Sequence, residues 1–201
     1  MMSKPPVPLA ITAAVLAGGR GARMGGLDKG WQRLDGRALV DWVVSALHEQ
    51  GLSTLLIVAN RSVEHYAALA PTIVDTQPGF RGPLAGVASA LAACTTDLLI
   101  TVAVDCPQPP PDLLERLYAA LTGDACDCAV AHDGVRRQPL FAVYRRALAE
   151  SAASALARGL GVSAWQDTLA LREVDFSAAR GHFDNLNTPA DLRAFMERRS
   201  D

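Results

Sequence analysis

A chain of 201 residues, half of them hydrophobic and a fifth charged, with a formal net charge of −2, has the make-up of a globular protein with a sizeable core. The near-neutral balance excludes the strong basic field that draws in nucleic acid or an anionic membrane surface. Aromatic residues make up only 5% and do not alternate with basic ones, which excludes a base-stacking platform.

Lys4 followed by the mostly apolar run Val7–Ala17 has the outline of a short secretory signal. The run is long enough for one strand only, and Gly18-Gly19-Arg20 follows at once, so a strand and a cytoplasmic location are expected instead. No stretch approaches the length of a membrane span. Ala13–Ala17, extended by Ile11 across Thr12, reads as a parallel strand buried on both faces. Gly18–Gly30 is too rich in glycine for regular structure.

Apolar residues at 39, 40, 43, 44 and 47 predict a helix over Ala38–Gln50, with Gly51 at its stop. Thr54–Ala59 is a second strand, Val63–Leu69 a short helix, and Thr72–Val74 a short strand ending before Asp75. Gln77–Pro83 is a loop and Leu84–Ala93 a helix of mostly small residues. Leu98–Val104 is the most hydrophobic strand, and Asp105 follows it.

Four prolines bar Cys106–Pro111 from helix or central strand, and Pro111 or Asp112 starts a helix through Leu121. Cys126–Ala131 and Leu140–Tyr144 read as strands, Arg145–Ala157 and Val162–Leu169 as helices, and Leu171–Val174 as a strand. Pro189–Arg198 is a helix with Thr188 as its N-cap. The cysteines (Cys94, Cys106, Cys126 and Cys128) lack metal-site spacing and read as reduced thiols.

This alternation predicts an α/β fold: a three-layer, Rossmann-like arrangement with a mostly parallel central sheet covered by helices on both faces, in a single domain over 1–201. Ligands bind such sheets outside the carboxyl ends of the strands. Three polar features fall there: the glycine loop, Asp75 and Asp105.

A glycine-rich turn lets backbone N–H groups converge on an anion, and Arg20, Arg23 and Lys29 add charge for phosphate oxygens. The loop is not a Walker A motif, since Lys29 is preceded by Asp28 and followed by Gly30. Nor is it the dinucleotide fingerprint, since Gly19-Arg20-Gly21 is followed by Met24 where glycine is required. Asp105 ends an apolar strand, where a carboxylate suits a hard divalent ion such as Mg²⁺.

Leu16-Ala-Gly-Gly-x-Gly-x-Arg-Met-Gly, with Asp28-Lys29 downstream, resembles the signature loop of sugar-nucleotide and molybdopterin nucleotidyltransferases. The second glycine pair, in Arg23-Met-Gly-Gly-Leu-Asp-Lys-Gly30, resembles in particular the molybdenum cofactor guanylyltransferases, the MobA family. Gly82-Pro-Leu-Ala-Gly86, Asp105-Cys-Pro, His132-Asp-Gly134, Gln138-Pro139 and Asn185-Leu-Asn-Thr-Pro189 are similar to segments of that family, in this order.

The resemblance implies transfer of GMP from GTP to the terminal phosphate of molybdopterin, with Mg²⁺ and release of pyrophosphate. It implies nucleotide contacts from Leu16, Ala17, Gly18, Gly19, Lys29, Asn60, Asp75 and Asp105, with Asp105 as metal ligand and Arg23, Lys29 and Asp105 as catalytic residues. Residues 11–105 would bind the nucleotide and 106–198 the cofactor, with Asn185 and Asn187 toward the pterin or the metal site. Cofactor-delivery proteins are further partners the family would bring, with no nucleic acid and no membrane. The chain departs from the family in Arg158-Gly-Leu-Gly-Val162, where only Arg158 is basic; that leaves open how the acceptor phosphate is held, with Arg136 and Arg137 as candidates. Two alternatives stay open: a cytidylyltransferase acting on the same cofactor, and a non-catalytic nucleotide- or cofactor-binding protein.

Overall fold

The computed structural model describes residues 11–18, 28–75, 82–121 and 126–186, together with 188, 191, 193 and 195. Seven strands form one sheet: β1 (Ile11–Leu16), β4 (Leu55–Val58), β5 (Thr72–Ile73), β6 (Leu98–Ala103), β7 (Cys128–His132), β8 (Arg137–Arg145) and β9 (Leu171–Asp175). Their order is β5-β4-β1-β6-β8-β7-β9. β5, β4, β1 and β6 run parallel, β8 is antiparallel to both β6 and β7, and β9 is parallel to β7. The mostly parallel sheet is therefore as expected, with one strand reversed inside it.

Alternation along each strand sends side chains to two cores. On one face Ala13, Val15, Ile57, Ile100 and Val102 pack with α1 (Leu39–Glu49) and α4 (Leu113–Leu121). On the other, Ala14, Leu56, Val58, Leu99, Val130 and Tyr144 pack with α3 (Pro83–Ala93), α5 (Ala149–Ala157) and α6 (Val162–Gln166). Helices thus cover both faces, the three layers that the apolar run Ala13–Leu16 of β1 requires. α3 is buried around most of its girth, which its alanines permit by letting α5 and the sheet approach closely.

Several expectations need correction. Residues 33–38 form a hairpin of β2 (Arg33–Leu34) and β3 (Arg37–Ala38). Asp35 and Gly36 turn it with φ of 52° and 73°, the two positive angles a two-residue hairpin turn needs and an Asp-Gly pair supplies. β8 runs on through Arg145, and the next helix begins only after a 3-10 turn over Arg146–Leu148, because Arg145 still pairs with Leu98 of β6. α6 stops at Gln166 rather than Leu169. The Thr188 hydroxyl does accept from the Asp191 backbone N–H at 3.1 Å, as an N-cap should, while most of the helix expected over 189–198 lies outside the described residues.

Candidate active site

The direction of the chain reverses about β1: β4 and β5 lie to one side of it, β6 to the other. A crevice opens at such a switch point beyond the carboxyl ends of the strands. Leu16 pairs with Ala103 there, the Ala17 N–H donates to the Val58 carbonyl at 2.8 Å, and the Val104 N–H donates to the Leu16 carbonyl at 3.2 Å. These bonds hold the ends of β1, β4 and β6 level, so Ala17-Gly18, Asn60 and Asp105 leave the sheet at one rim.

Two cavities occupy that rim. The first, of about 180 Å³, is lined by Leu16, Ala17, Gly18, Lys29, Val58, Gly82, Pro83, Gly86, Ala103, Val104, Asp105 and Leu140. The second, of about 390 Å³, is lined by Ala103, Asp105, Arg136–Phe141, Ser163 and Asn185. Asp105 lines both. Lys29 Nζ sits 2.5 Å from Asp105 Oδ2, across 76 residues of sequence, with both side chains only about a fifth exposed.

Lys29 opens a 3-10 turn, Lys29–Trp31, capped by Asp28. The turn holds a mobile four-carbon stem at its base, so that its charge is delivered to one place. Behind Gly18, Asn60 and Asp75 lock together. The Asn60 amide donates to Asp75 Oδ2 at 2.6 Å, and the Asp75 backbone N–H donates to Asn60 Oδ1 at 2.9 Å. Asp75 Oδ1 is buried, with no hydrogen-bond partner among the described residues. Burial pushes the Asp75 carboxyl above the usual range, against the opposing effect of the Asn60 bond. A Cβ built on Gly18 would stand 3.9 Å from Asp75 Oδ2, and one on Gly86 3.8 Å from Oδ1, so both glycines border this carboxylate. An unsatisfied buried acceptor of this kind is costly unless something donates to it.

The second cavity stands on a bulge. Val130 pairs with Ala142 but Ala131 pairs with Gln138, so Pro139, Leu140 and Phe141 have no partners on β7. Proline, having no N–H to lose, suits a bulge. The Pro139 carbonyl accepts from Gln166 Nε2 at 3.0 Å and from the Tyr144 hydroxyl at 3.3 Å, which ties the bulge to α6. Arg137 is committed to Glu173 (2.9 Å) and Asp167 (2.6 Å). The neighbouring Arg136 is exposed, and its guanidinium has no partner among the described residues. Asn185 accepts from the Cys106 thiol at 3.0 Å, and the Leu186 N–H donates to the Asp105 carbonyl at 2.9 Å, stitching this loop to the end of β6.

Of the candidates from the sequence, Leu16, Ala17, Gly18, Lys29 and Asp105 meet at the first cavity, with Asn60 and Asp75 behind Gly18, and Asn185 joins Asp105 at the second. Gly19, Arg20, Arg23 and Asn187 lie outside the described residues. Arg158 caps α5 and lines neither cavity. His132 lines neither: its Nδ1 accepts from the Gly134 N–H at 3.1 Å, within its own turn. Sequence reasoning missed Gln50, Gln166 and the Tyr66–Asp28 pair. Gln50 accepts from the Leu114 N–H at 3.0 Å and donates to the Pro110 carbonyl at 3.1 Å, fixing the proline-rich loop after Asp105. A buried glutamine on a helix was the one signal available for it.

A family model described as a MobA-like NTP transferase domain matches residues 13–172. The chain belongs to this family. It is a nucleotidyltransferase. A protein of Mannheimia succiniciproducens named molybdenum cofactor guanylyltransferase is 40% identical over 191 residues, covering 92% of this chain and 98% of its own. One of the same name from Vibrio atlanticus is 38% identical over 190 residues, covering 94% and 97%. The crystal structure of molybdopterin-guanine dinucleotide biosynthesis protein A from Archaeoglobus fulgidus superposes with a TM-score of 0.77 at 27% identity, covering 94% of this chain and 98% of that one. Among the described residues no helix of this MobA-like chain is long and apolar enough to cross a membrane.

Proposed function

We propose that this chain transfers GMP from GTP to the terminal phosphate of molybdopterin and releases pyrophosphate, with Mg²⁺ as cofactor. The observation that carries the reading is that Asp105, paired with Lys29, lines both cavities. A group shared between two cavities is what a transfer between two bound substrates needs. The first cavity is then the donor site and the second the acceptor site. Residues 11–105 serve the nucleotide and 106–198 the acceptor, within one domain.

Phosphate charge repels an incoming phosphate, so the protein's part is positioning and neutralisation rather than covalent chemistry. An oxygen of the acceptor phosphate attacks the α-phosphorus. A new P–O bond forms as the bond to the bridging oxygen of the β-phosphate breaks, and pyrophosphate leaves with that electron pair. Lys29 neutralises the phosphates, aided by Arg23, and the N–H groups at Gly18 and Gly19 add donors without adding bulk.

The donor set fits Mg²⁺, which keeps several waters and takes one or two carboxylates. Among the described residues Asp105 stands without a cluster of further His, Cys, Asp or Glu ligands, and Lys29 meets it at Oδ2. When bound, the ion supplies Lewis-acid charge stabilisation at the phosphates.

The unpartnered Asp75 Oδ1 supports guanine, whose N1–H and N2–H₂ edge presents adjacent donors to a carboxylate. The names of the 38–40% identical relatives point the same way. For the acceptor, Arg136 is the cation of the second cavity left without a partner among the described residues to meet a terminal phosphate, with Asn185 as an amide contact; the resemblance adds Asn187.

The test is turnover with purified molybdopterin cofactor, Mg²⁺ and each of GTP, CTP and ATP, following pyrophosphate and the dinucleotide product. GTP should be preferred, and chelation of the metal should stop the reaction. A clear preference for CTP would replace the reading with a cytidylyltransferase. Nucleotide binding without turnover would replace it with a binding protein.

A further inference from the structure

Tyr66 lies in α2 (Val63–Ala67) and is fully buried. Its ring packs on Trp31, with centroids 5.0 Å apart, and that apolar contact asks for no hydroxyl. A buried hydroxyl needs a partner, and this one does not find it locally. It donates 2.6 Å to Asp28 Oδ1, across 38 residues of sequence. The same Oδ1 accepts from the Gly30 N–H at 3.3 Å. One carboxylate oxygen therefore joins α2 to the turn that carries Lys29. The fit is close: a Cβ on Gly30 would stand 2.2 Å from the Tyr66 hydroxyl. Only glycine at 30 lets the hydroxyl reach Asp28. Burial, and then the Asp28 bond, push the Tyr66 phenol far above its usual range, so it stays protonated and remains a donor.

We propose that Tyr66 is a positioning residue for the transfer reaction: its hydroxyl, acting through Asp28, fixes the turn that aims Lys29 at Asp105 and the triphosphate. The inference rests on the reading that Lys29 grips the nucleotide. Tyr66 itself lines neither cavity, so its effect travels by way of Lys29 alone.

The experiment is steady-state kinetics of the full chain with GTP, Mg²⁺ and molybdopterin, together with thermal melts. Tyr66→Phe keeps the ring and removes the donor. The expected result is a rise of about tenfold in the KM for GTP, in line with the cost of a misplaced positioning group, with the KM for the acceptor unchanged. Gly30→Ala should reproduce it, because its methyl occupies the hydroxyl's path. Asp28→Ala should match it, and Asp28→Asn, which keeps an accepting Oδ1, should recover most of the loss. Tyr66→Phe combined with Asp28→Ala should be no worse than Asp28→Ala alone.

Wild-type kinetics in Tyr66→Phe would overturn the proposal. So would a fall in kcat with both KM values unchanged and a lowered melting temperature, which marks less folded enzyme. If Tyr66→Phe does not fold, the Asp28 pair decides, and equal losses in the alanine and asparagine variants count against it. Lys29→Ala separates the two levels. If it impairs GTP use while Tyr66→Phe does not, the positioning role falls alone; if it is silent, the reading of Lys29 falls as well.

Discussion

The cavity proposed for the donor stands on the ends of parallel strands, and the polar groups at and behind it are bound to one another in pairs: Asp105 to Lys29 in its lining, and Asn60 to Asp75 behind Gly18. The cavity proposed for the acceptor stands on antiparallel β8 and its bulge, and it presents two arginines, one clamped and one not. Parallel strands with hydrogen-bonded ends leave little freedom in what emerges from them, which suits a substrate whose phosphates must be held in line. A bulge re-aims the residues beside it, which suits a cavity proposed to receive a different molecule from the first. Asp105 is the point where the two kinds of wall meet.

The sharpest way to break that comparison is at the carboxylate the two cavities share. Asp105→Asn keeps the shape and removes the charge, and turnover should fall by about a thousandfold, the loss typical of a main charge-stabilising group. Binding on each side should suffer far less. Steady-state rates with equilibrium binding of GTP in parallel would check this, and turnover that survives with Mg²⁺ still required would move the metal site elsewhere.

The donor wall was legible because each of its parts leaves a local mark. An apolar strand followed by glycine, or by Asp105 and a proline, places a residue at the rim before any tertiary contact is known. The hairpin at Asp35-Gly36 carries a local mark in its Asp-Gly pair, but two residues per strand give no periodicity to support it. The acceptor wall was harder. The clamping of Arg137 by Asp167 and Glu173, and the satisfaction of the Pro139 carbonyl by Gln166, join segments about 30 residues apart. Nothing in the spacing distinguished Arg136 from Arg137. Likewise Tyr66 read as an ordinary core aromatic of a short helix, because the position of its hydroxyl follows from packing alone.

A second effect, smaller than the first, sharpens the donor side. Asp75→Asn replaces one acceptor oxygen with a donor, facing a base edge that itself donates. The preference for GTP over CTP should fall roughly tenfold to a hundredfold, the worth of one hydrogen bond to a charged group. Competition of the two nucleotides for the same enzyme would measure it. An unchanged preference would place base recognition elsewhere.

On the acceptor side the two arginines should part company. Arg136→Ala should raise the KM for molybdopterin about tenfold and leave that for GTP alone, as befits loss of one charge-assisted contact. Arg137→Ala should act first on the fold. Its pairs are partly exposed, so the loss should be at most about 1 kcal/mol, read in a denaturant titration. The reverse pattern would exchange their roles.

The smallest effect expected concerns pH. Asp75 has its pKa raised mainly by burial, so the folded chain holds this proton more tightly than the unfolded chain does. Between the unfolded value and the raised folded one, the folded state binds more protons, and the slope of stability with pH is negative there. The contribution is therefore full below the unfolded pKa and is lost as pH rises through the folded one. Asp75→Asn should then melt slightly higher than wild type near neutrality, and the gap should close in acid. Guanine reverses the balance, because its N–H groups favour the ionised carboxylate. GTP binding should release a proton in that same acid window, and affinity should weaken as pH falls through it. Calorimetry in two buffers of different ionisation enthalpy would detect the release, and its persistence in Asp75→Asn would assign it to another group.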